Sequence, residues 1–217
     1  MDPKVEKLDY KRTPSAGWER VIRAFFWLVF HTLWPLKISG LKNVPTTGPA
    51  IIVCNHLSMV DPFVVGFAAH RGVSFMAKEE LFSVPVVGFL IRKVGAFPVD
   101  RSRRDPSSMR VALSVLKDGD LLGMFPEGTR STTGEMLEMR TGAIRIASRT
   151  RTPIIPASVI NTDRALPPGH FIRPARIAVR FGPPLELTEL YERPKDEALM
   201  QEALALIKEK IEALHHI

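Results

Sequence analysis

Cysteine is almost missing from this chain: Cys54 is the single one in 217 residues. An intrachain disulfide is therefore excluded, and a reducing compartment is compatible. Long apolar runs are scarce as well. The most apolar stretch, residues 24–36 (AFFWLVFHTLWPL), makes a helix of about 20 Å against about 30 Å of bilayer hydrocarbon. Extending it back to Trp18 takes in Glu19, Arg20 and Arg23, each expensive at membrane depth, so no spanning helix is expected. A secretory signal is not expected either, because Asp2, Glu6 and Asp9 precede the stretch and PLKISG follows it; neither fits a cleavable leader. There is no repeat, no low-complexity tract and no interdomain linker. Acid is the scarcer charge: 23 acidic residues stand against 30 basic ones, a net +7. That balance favours an anionic partner such as nucleic acid, acidic lipid or a phosphorylated substrate. With 45% hydrophobic and 24% charged residues, the composition is that of a folded domain rather than a disordered chain.

What is present organises itself along the chain. Residues 24–36 read as a helix lying in the bilayer interface, with Arg20, Arg23 and Lys37 toward headgroups and Trp18, Trp27 and Trp34 in the boundary layer. A buried core helix of the same length is the competing reading. LKNVPTTGP reads as a turn-rich connector. From residue 50 strands and helices alternate. AIIVC is a strand, and DPFVVGFAAHRG a helix with Asp61 as cap and Gly72 as stop. VSFMA is a strand, KEELFSVPVVGFLIRKVG a helix bent or broken at Pro85, AFPV a short strand and DPSSMRVALSVLKDG a helix closed by Gly119. DLLGMF, PIIPASVI and ARIAVRF are strands, MRTGAIRIASRTR is a helix, and residues 194–217 form an amphipathic helix burying Leu199, Ala203, Ile207, Ile211 and Leu214. The alternation predicts an α/β fold: a single domain with a largely parallel mixed sheet flanked by helices. Residues 1–38 form an arm and membrane-associating helix, and residues 39–217 the catalytic domain.

In sheets of this kind ligands gather beyond the carboxyl ends of the strands, and four turns there carry charge. CNHLSMVDPF (54–63) places His56 and Asp61 five apart. Histidine suits proton removal near neutral pH, and a carboxylate on its far nitrogen would orient it. On one continuous helix the two would lie about 140° apart, so they meet only if the chain turns between them. A turn histidine followed by a plain helix cap at Asp61 accounts for the same letters. Cys54 as a thiol nucleophile and Ser58 as a serine nucleophile are further readings, although no G-x-S-x-G elbow surrounds Ser58. In MFPEGTRS (124–131), Pro126 and Gly128 force a turn. Arg130 offers a planar fork suited to phosphate, and Glu127 could hold that arginine or bind a substrate hydroxyl. Arg101 in FPVDRSRR and Lys78 after VSFMA add two more cations. Histidines 31, 70, 170, 215 and 216 have no ligand spacing, so no metal is expected.

Taken in order, NHLSMVD, KEELFSVPVVG, GAFPVDR, FPEGTRS and PIIPASV resemble the five blocks of the glycerolipid acyltransferases, the lysophosphatidic acid (1-acyl-sn-glycerol-3-phosphate) acyltransferases and their relatives, over about residues 40–185. The resemblance implies acyl transfer from an acyl thioester, acyl-CoA or acyl carrier protein, to a glycerol hydroxyl. The acceptor would be a lysophospholipid, lysophosphatidic acid giving phosphatidic acid in phospholipid biosynthesis. It implies that His56 is the base and Asp61 its orienter, that Lys78, Arg101 and Arg130 hold the acceptor's phosphate, and that Glu127 and Gly128 shape that site. No cofactor is implied beyond the acyl-donating substrate. An N-terminal helical membrane attachment is similar to that of bacterial members, so a peripheral or monotopic place on the cytoplasmic face of an anionic membrane is expected. Pro98 and Val99 stand where many relatives carry an aromatic and an aliphatic residue, which bears on acceptor preference. The same chemistry on another lysophospholipid or hydroxylated lipid is an alternative, and a non-catalytic anionic-lipid binder is a different class. A nucleic-acid partner is not expected, because no recognised module is present and the basic residues are not interleaved with aromatics.

Overall fold

A computed structural model describes residues 16–93, 95–99, 106–167, 169–193 and 196–216. Its centre is β2 (Ala50–Cys54), buried along its whole length. Neighbouring side chains of a strand point to opposite faces, so a continuous apolar run marks a strand covered on both. Ala50, Ile52 and Cys54 enter one core, while Ile51 and Val53 enter the other.

Among the described residues the sheet has seven strands in the order β1 (Leu36–Ser39), β7 (Ile177–Phe181), β6 (Ile154–Ile160), β2, β5 (Leu121–Met124), β3 (Val73–Lys78) and β4 (Phe97–Val99). Only the β6–β7 pairing is antiparallel among these. The single-domain, largely parallel mixed sheet expected from the sequence is what is found. Helices α1 (Ala16–Thr32) and α2 (Asp61–Ala68) cover one face; α4 (Pro106–Lys117), α5 (Gly142–Thr150) and α8 (Glu197–His216) cover the other. From β2 the chain leaves through α2 toward β3, and from β5 it leaves through α5 toward β6. The two exits diverge to opposite faces, which opens a crevice beyond the carboxyl ends of β2 and β5, where such sheets bind ligands.

Several elements differ from expectation. β1 lies just ahead of the stretch read as connector and was not foreseen, nor were two short helices, α6 (Thr162–Ala165) and α7 (Thr188–Glu192). The segment after β3 is a 3₁₀ turn over Glu79–Ser83 followed by α3 (Pro85–Lys93), the break at Pro85 that a missing N–H demands. α2 stops at Ala68, short of Gly72, because His70 already adopts a left-handed φ of 55°. On α8 the buried stripe includes Met200, with Leu199 and Leu214 only half-buried.

The apolar N-terminal stretch is two-sided. Phe26, Val29 and Leu33 pack on the first core, and Phe30 and Trp34 belong to it. Trp34, expected in the lipid boundary layer, is buried, and its Nε1 donates to the Arg173 carbonyl at 2.8 Å. The outward face carries Phe25, Trp27 and Leu28, each more than half exposed. Among the described residues no helix is long and apolar enough to cross a membrane.

Candidate active site

Asn55 and His56 follow directly on β2. The strand pairing with β6 stops at Cys54, and the Asn55 side chain continues it: Nδ2 donates to the Val159 carbonyl at 3.1 Å, and Oδ1 accepts the Val159 N–H at 2.8 Å. A side-chain amide thus imitates a peptide and fixes the point where the chain turns.

Across that turn the Asp61 carboxylate reaches back. Its Oδ2 accepts the N–H groups of Leu57 and Ser58 at 2.7 and 2.8 Å and meets His56 Nδ1 at 2.8 Å. Asp61 is fully buried, and the His56 side chain is 13% exposed. An oxygen already receiving two N–H groups acts as acceptor toward the ring. Nδ1 therefore carries the hydrogen and Nε2 keeps its lone pair. The sequence expectation of Asp61 as a helix cap gives way here: α2 starts at Asp61 with Val60 as its uncapped flank, and the carboxylate faces the turn before it. The imidazole stacks on Phe125 (centroids 4.2 Å apart, 18° between planes), and Phe125 stacks on Phe75 (5.4 Å, 13°). Phe75 fits only because Gly123 has no side chain; its ring lies in the space that a Cβ there would fill.

The second turn holds the first. Glu127 Oε1 accepts the His56 backbone N–H at 2.8 Å, Oε2 accepts the Leu137 N–H at 2.9 Å, and the Ser131 N–H donates to the His56 carbonyl at 2.8 Å. Each oxygen of the Glu127 carboxylate thus accepts a backbone N–H, and it does not pair with Arg130 among the described residues. Burial raises its pKa above the usual carboxylate value, with the two backbone bonds and the His56 charge pulling the other way. Gly128 closes the turn at φ 71°, and the Arg140 guanidinium lies against it, 3.2 Å from where a Cβ would stand. Arg140 is exposed and ties back to the turn through its N–H on the Pro126 carbonyl at 2.9 Å. Spacing did not single it out; the loop returning from Ser131 delivers it there.

The remaining cations are distributed as follows. Arg130, half-buried, sits one residue before Ser131 and pairs with no carboxylate among the described residues. Lys78 ends β3, exposed, and pairs with Glu80 at 3.0 Å. Arg101 lies outside the described residues. The nucleophile readings of Cys54 and Ser58 are closed. Burial, and then the Asp61 charge, push the Cys54 thiol well above its usual range, while Ser58 is fully buried and its Oγ donates to the Leu166 carbonyl at 2.9 Å.

Comparison with known proteins gives the family. The sequence model of the family described as Acyltransferase matches residues 35–160. The 1-acyl-sn-glycerol-3-phosphate acyltransferase of Bacillus subtilis is 31% identical over 172 residues, 78% of this chain and 84% of that protein. The enzyme of the same name from Cocos nucifera is 34% identical over 177 residues, 80% of this chain and 56% of that protein. The crystal structure of the 1-acyl-sn-glycerophosphate (LPA) acyltransferase PlsC from Thermotoga maritima superposes with a TM-score of 0.73 at 26% identity, covering 94% of this chain and 85% of that one. With its buried carboxylate, its oriented histidine and a match that takes in the whole crevice, this chain belongs to the acyltransferase family.

Proposed function

We propose that the protein is a membrane-surface 1-acyl-sn-glycerol-3-phosphate O-acyltransferase. It moves a fatty acyl group from acyl-CoA or acyl carrier protein to the free hydroxyl of lysophosphatidic acid, giving phosphatidic acid. The observation that carries this reading is the His56 Nδ1–Asp61 Oδ2 contact of 2.8 Å at the carboxyl end of β2. It leaves Nε2 with a lone pair and no hydrogen-bond partner among the described residues.

A glycerol hydroxyl is far too weak an acid to ionise at neutral pH, so attack needs a base at the moment the bond forms. As the hydroxyl oxygen bonds to the thioester carbon, Nε2 takes its proton. The imidazolium stands against the Asp61 carboxylate until the C–S bond breaks, and then returns the proton to the departing sulfur. A thiolate leaves readily, so no acyl-enzyme is needed, and the donor is a substrate with no other cofactor. Arg130 and Lys78, with Arg101, hold the acceptor's phosphate, and Arg140 joins them from its place against Gly128. Glu127 acts through His56, whose backbone it fixes. Gripping the phosphate brings the hydroxyl to the thioester, and positioning of this kind contributes several kcal/mol. The outward apolar face of α1 rests on the cytoplasmic leaflet in a peripheral or monotopic manner.

His56→Ala is expected to abolish acyl transfer, assayed by mass spectrometry with matched donors and lysolipids, while vesicle binding and melting temperature stay at wild-type values. Residual turnover above background in the purified variant would remove His56 as the base.

A further inference from the structure

β6 and β7 pair antiparallel with Ile160 opposite Ala178. Two residues are enough to join such neighbours, yet residues 161–176 (NTDRALPPGHFIRPAR) stand between them. Their base is tied down. Ser58 Oγ donates to the Leu166 carbonyl, the Arg173 N–H to the Ala165 carbonyl at 2.9 Å, Trp34 Nε1 to the Arg173 carbonyl and the Ala175 N–H to the Leu33 carbonyl at 3.3 Å. The loop is thus pinned both to the His56 turn and to the chain just after α1. Its tip is the opposite of buried: Phe171 is 93% and Ile172 57% exposed. Large apolar side chains held out on a pinned loop contribute nothing to the core and mark an interaction surface. Arg164, His170, Arg173 and Arg176 are exposed around them, with Asp163 as the sole acid of the segment.

The topology fixes where this tip points. β6 is parallel to β2, so residue 161 leaves the sheet at the same end as His56. β7 starts at that end, and β1 runs parallel to it with Leu36 opposite Ile177, which places the end of α1 there too. We infer that Phe171 and Ile172 form a second membrane-inserting element. Together with the outward face of α1 it turns the carboxyl end of the sheet, and with it His56, toward an anionic bilayer. The inference rests on the membrane-surface reading proposed above. An apolar tip ringed by cations matches a leaflet whose anionic headgroups lie just outside its acyl chains. A lipid acceptor entering from that leaflet then reaches the base without crossing water.

The test uses the full chain and vesicles of equal parts phosphatidylglycerol and phosphatidylcholine. In Phe171→Cys an environment-sensitive fluorophore can be attached selectively, because Cys54 is completely buried. Its emission is expected to shift to the blue on adding vesicles. Phe171→Ser/Ile172→Ser is expected to bind the vesicles about tenfold more weakly and to lose turnover on vesicle-borne acceptor. Its melting temperature and its turnover on a dissolved short-chain acceptor should not change. A fluorophore that stays in water while the protein binds overturns the inference and leaves the proposed function standing. Unchanged vesicle binding, with turnover lost only when the donor is on acyl carrier protein, overturns it in favour of a protein-docking loop. An unaltered protein that does not bind the vesicles removes the membrane reading itself.

Discussion

Replacing Asp61 by Asn separates the geometry of the site from its charge. Oδ2 accepts all three hydrogen bonds made to Asp61, and Oδ1, although buried, has no partner among the described residues. Asparagine can therefore put its carbonyl oxygen at the Oδ2 position, keep the Leu57, Ser58 and Nδ1 bonds, and place its NH2 where Oδ1 was. The two backbone N–H groups forbid the flipped amide, so the ring tautomer is preserved. What disappears, on the proposed mechanism, is the negative charge facing the imidazolium that forms during transfer. With charge centres about 4 Å apart and an effective dielectric constant near 20, that attraction amounts to about 4 kcal/mol, or roughly a thousandfold in kcat. Asp61→Ala is the control. It leaves the backbone N–H groups of Leu57 and Ser58 and the His56 ring N–H without an acceptor, at a cost of about 1–3 kcal/mol for each buried backbone group, and should melt well below both wild type and Asp61→Asn. Steady-state kinetics with lysophosphatidic acid, beside thermal melts of the three proteins, read the outcome. An Asp61→Asn enzyme that melts normally and keeps more than about a tenth of wild-type kcat would refute the electrostatic role. One that melts like Asp61→Ala would refute the geometric premise.

Three further outcomes follow from the same contacts. Glu127→Gln meets two N–H donors with a single acceptor, so one donor faces an NH2 whichever way the amide lies; kcat is expected to fall by about ten- to a hundredfold with the acceptor KM unchanged, and a KM effect alone would make Glu127 a substrate contact. Gly128→Ala places a Cβ in a left-handed conformation and against the Arg140 guanidinium. It should destabilise by about 1–2 kcal/mol and raise the KM for the phosphorylated acceptor; a variant with native melting and native KM would dissociate Arg140 from the phosphate. For His215, burial first, then His216 and Arg180, lower the pKa below its ordinary 6.5. The unfolded chain therefore takes up this proton before the fold does, and stability present above about pH 6.5 is lost as pH falls toward the folded value. His215→Gln should flatten that part of the melting-temperature profile, and an unaltered slope would assign the acid sensitivity elsewhere.

How much of this could be read from the letters depends on how far apart the partners lie in sequence. The sheet was legible because AIIVC, DLLGMF and PIIPASVI are apolar runs with turn residues at their ends, and periodicity is a local property. A meeting of His56 and Asp61 was legible as a condition on the turn between them. The condition is met, but the carboxylate's two backbone bonds to Leu57 and Ser58 made it an anchor of the turn and not a helix cap. Asn55, Glu127 and Arg140 were not legible in these roles. Asn55 needs β6 beside β2, Glu127 needs β5 beside β2, and Arg140 needs a loop to return to Pro126. No spacing rule encodes strand order. Trp34 was misplaced for a related reason: length and flanking charge describe an apolar helix, whereas the strand that follows it decides which of its aromatics turn inward.

Strand order also explains why the two charged turns cannot be understood singly. The peptide of His56 is gripped on both sides by the β5 loop, at its N–H by Glu127 and at its carbonyl by Ser131, and Arg130 stands between those two residues in sequence. On the proposed reading, the segment that grips the acceptor's phosphate is the segment that holds the base. An acidic side chain in such a turn looks from sequence like a ligand for substrate, but here its two oxygens tie a loop to a strand end. Near-attack geometry tolerates errors of only fractions of an ångström. A base and a phosphate clamp mounted on separate loops would have to be aligned by the substrate, whereas on the proposed reading two hydrogen bonds of 2.8 Å align them beforehand.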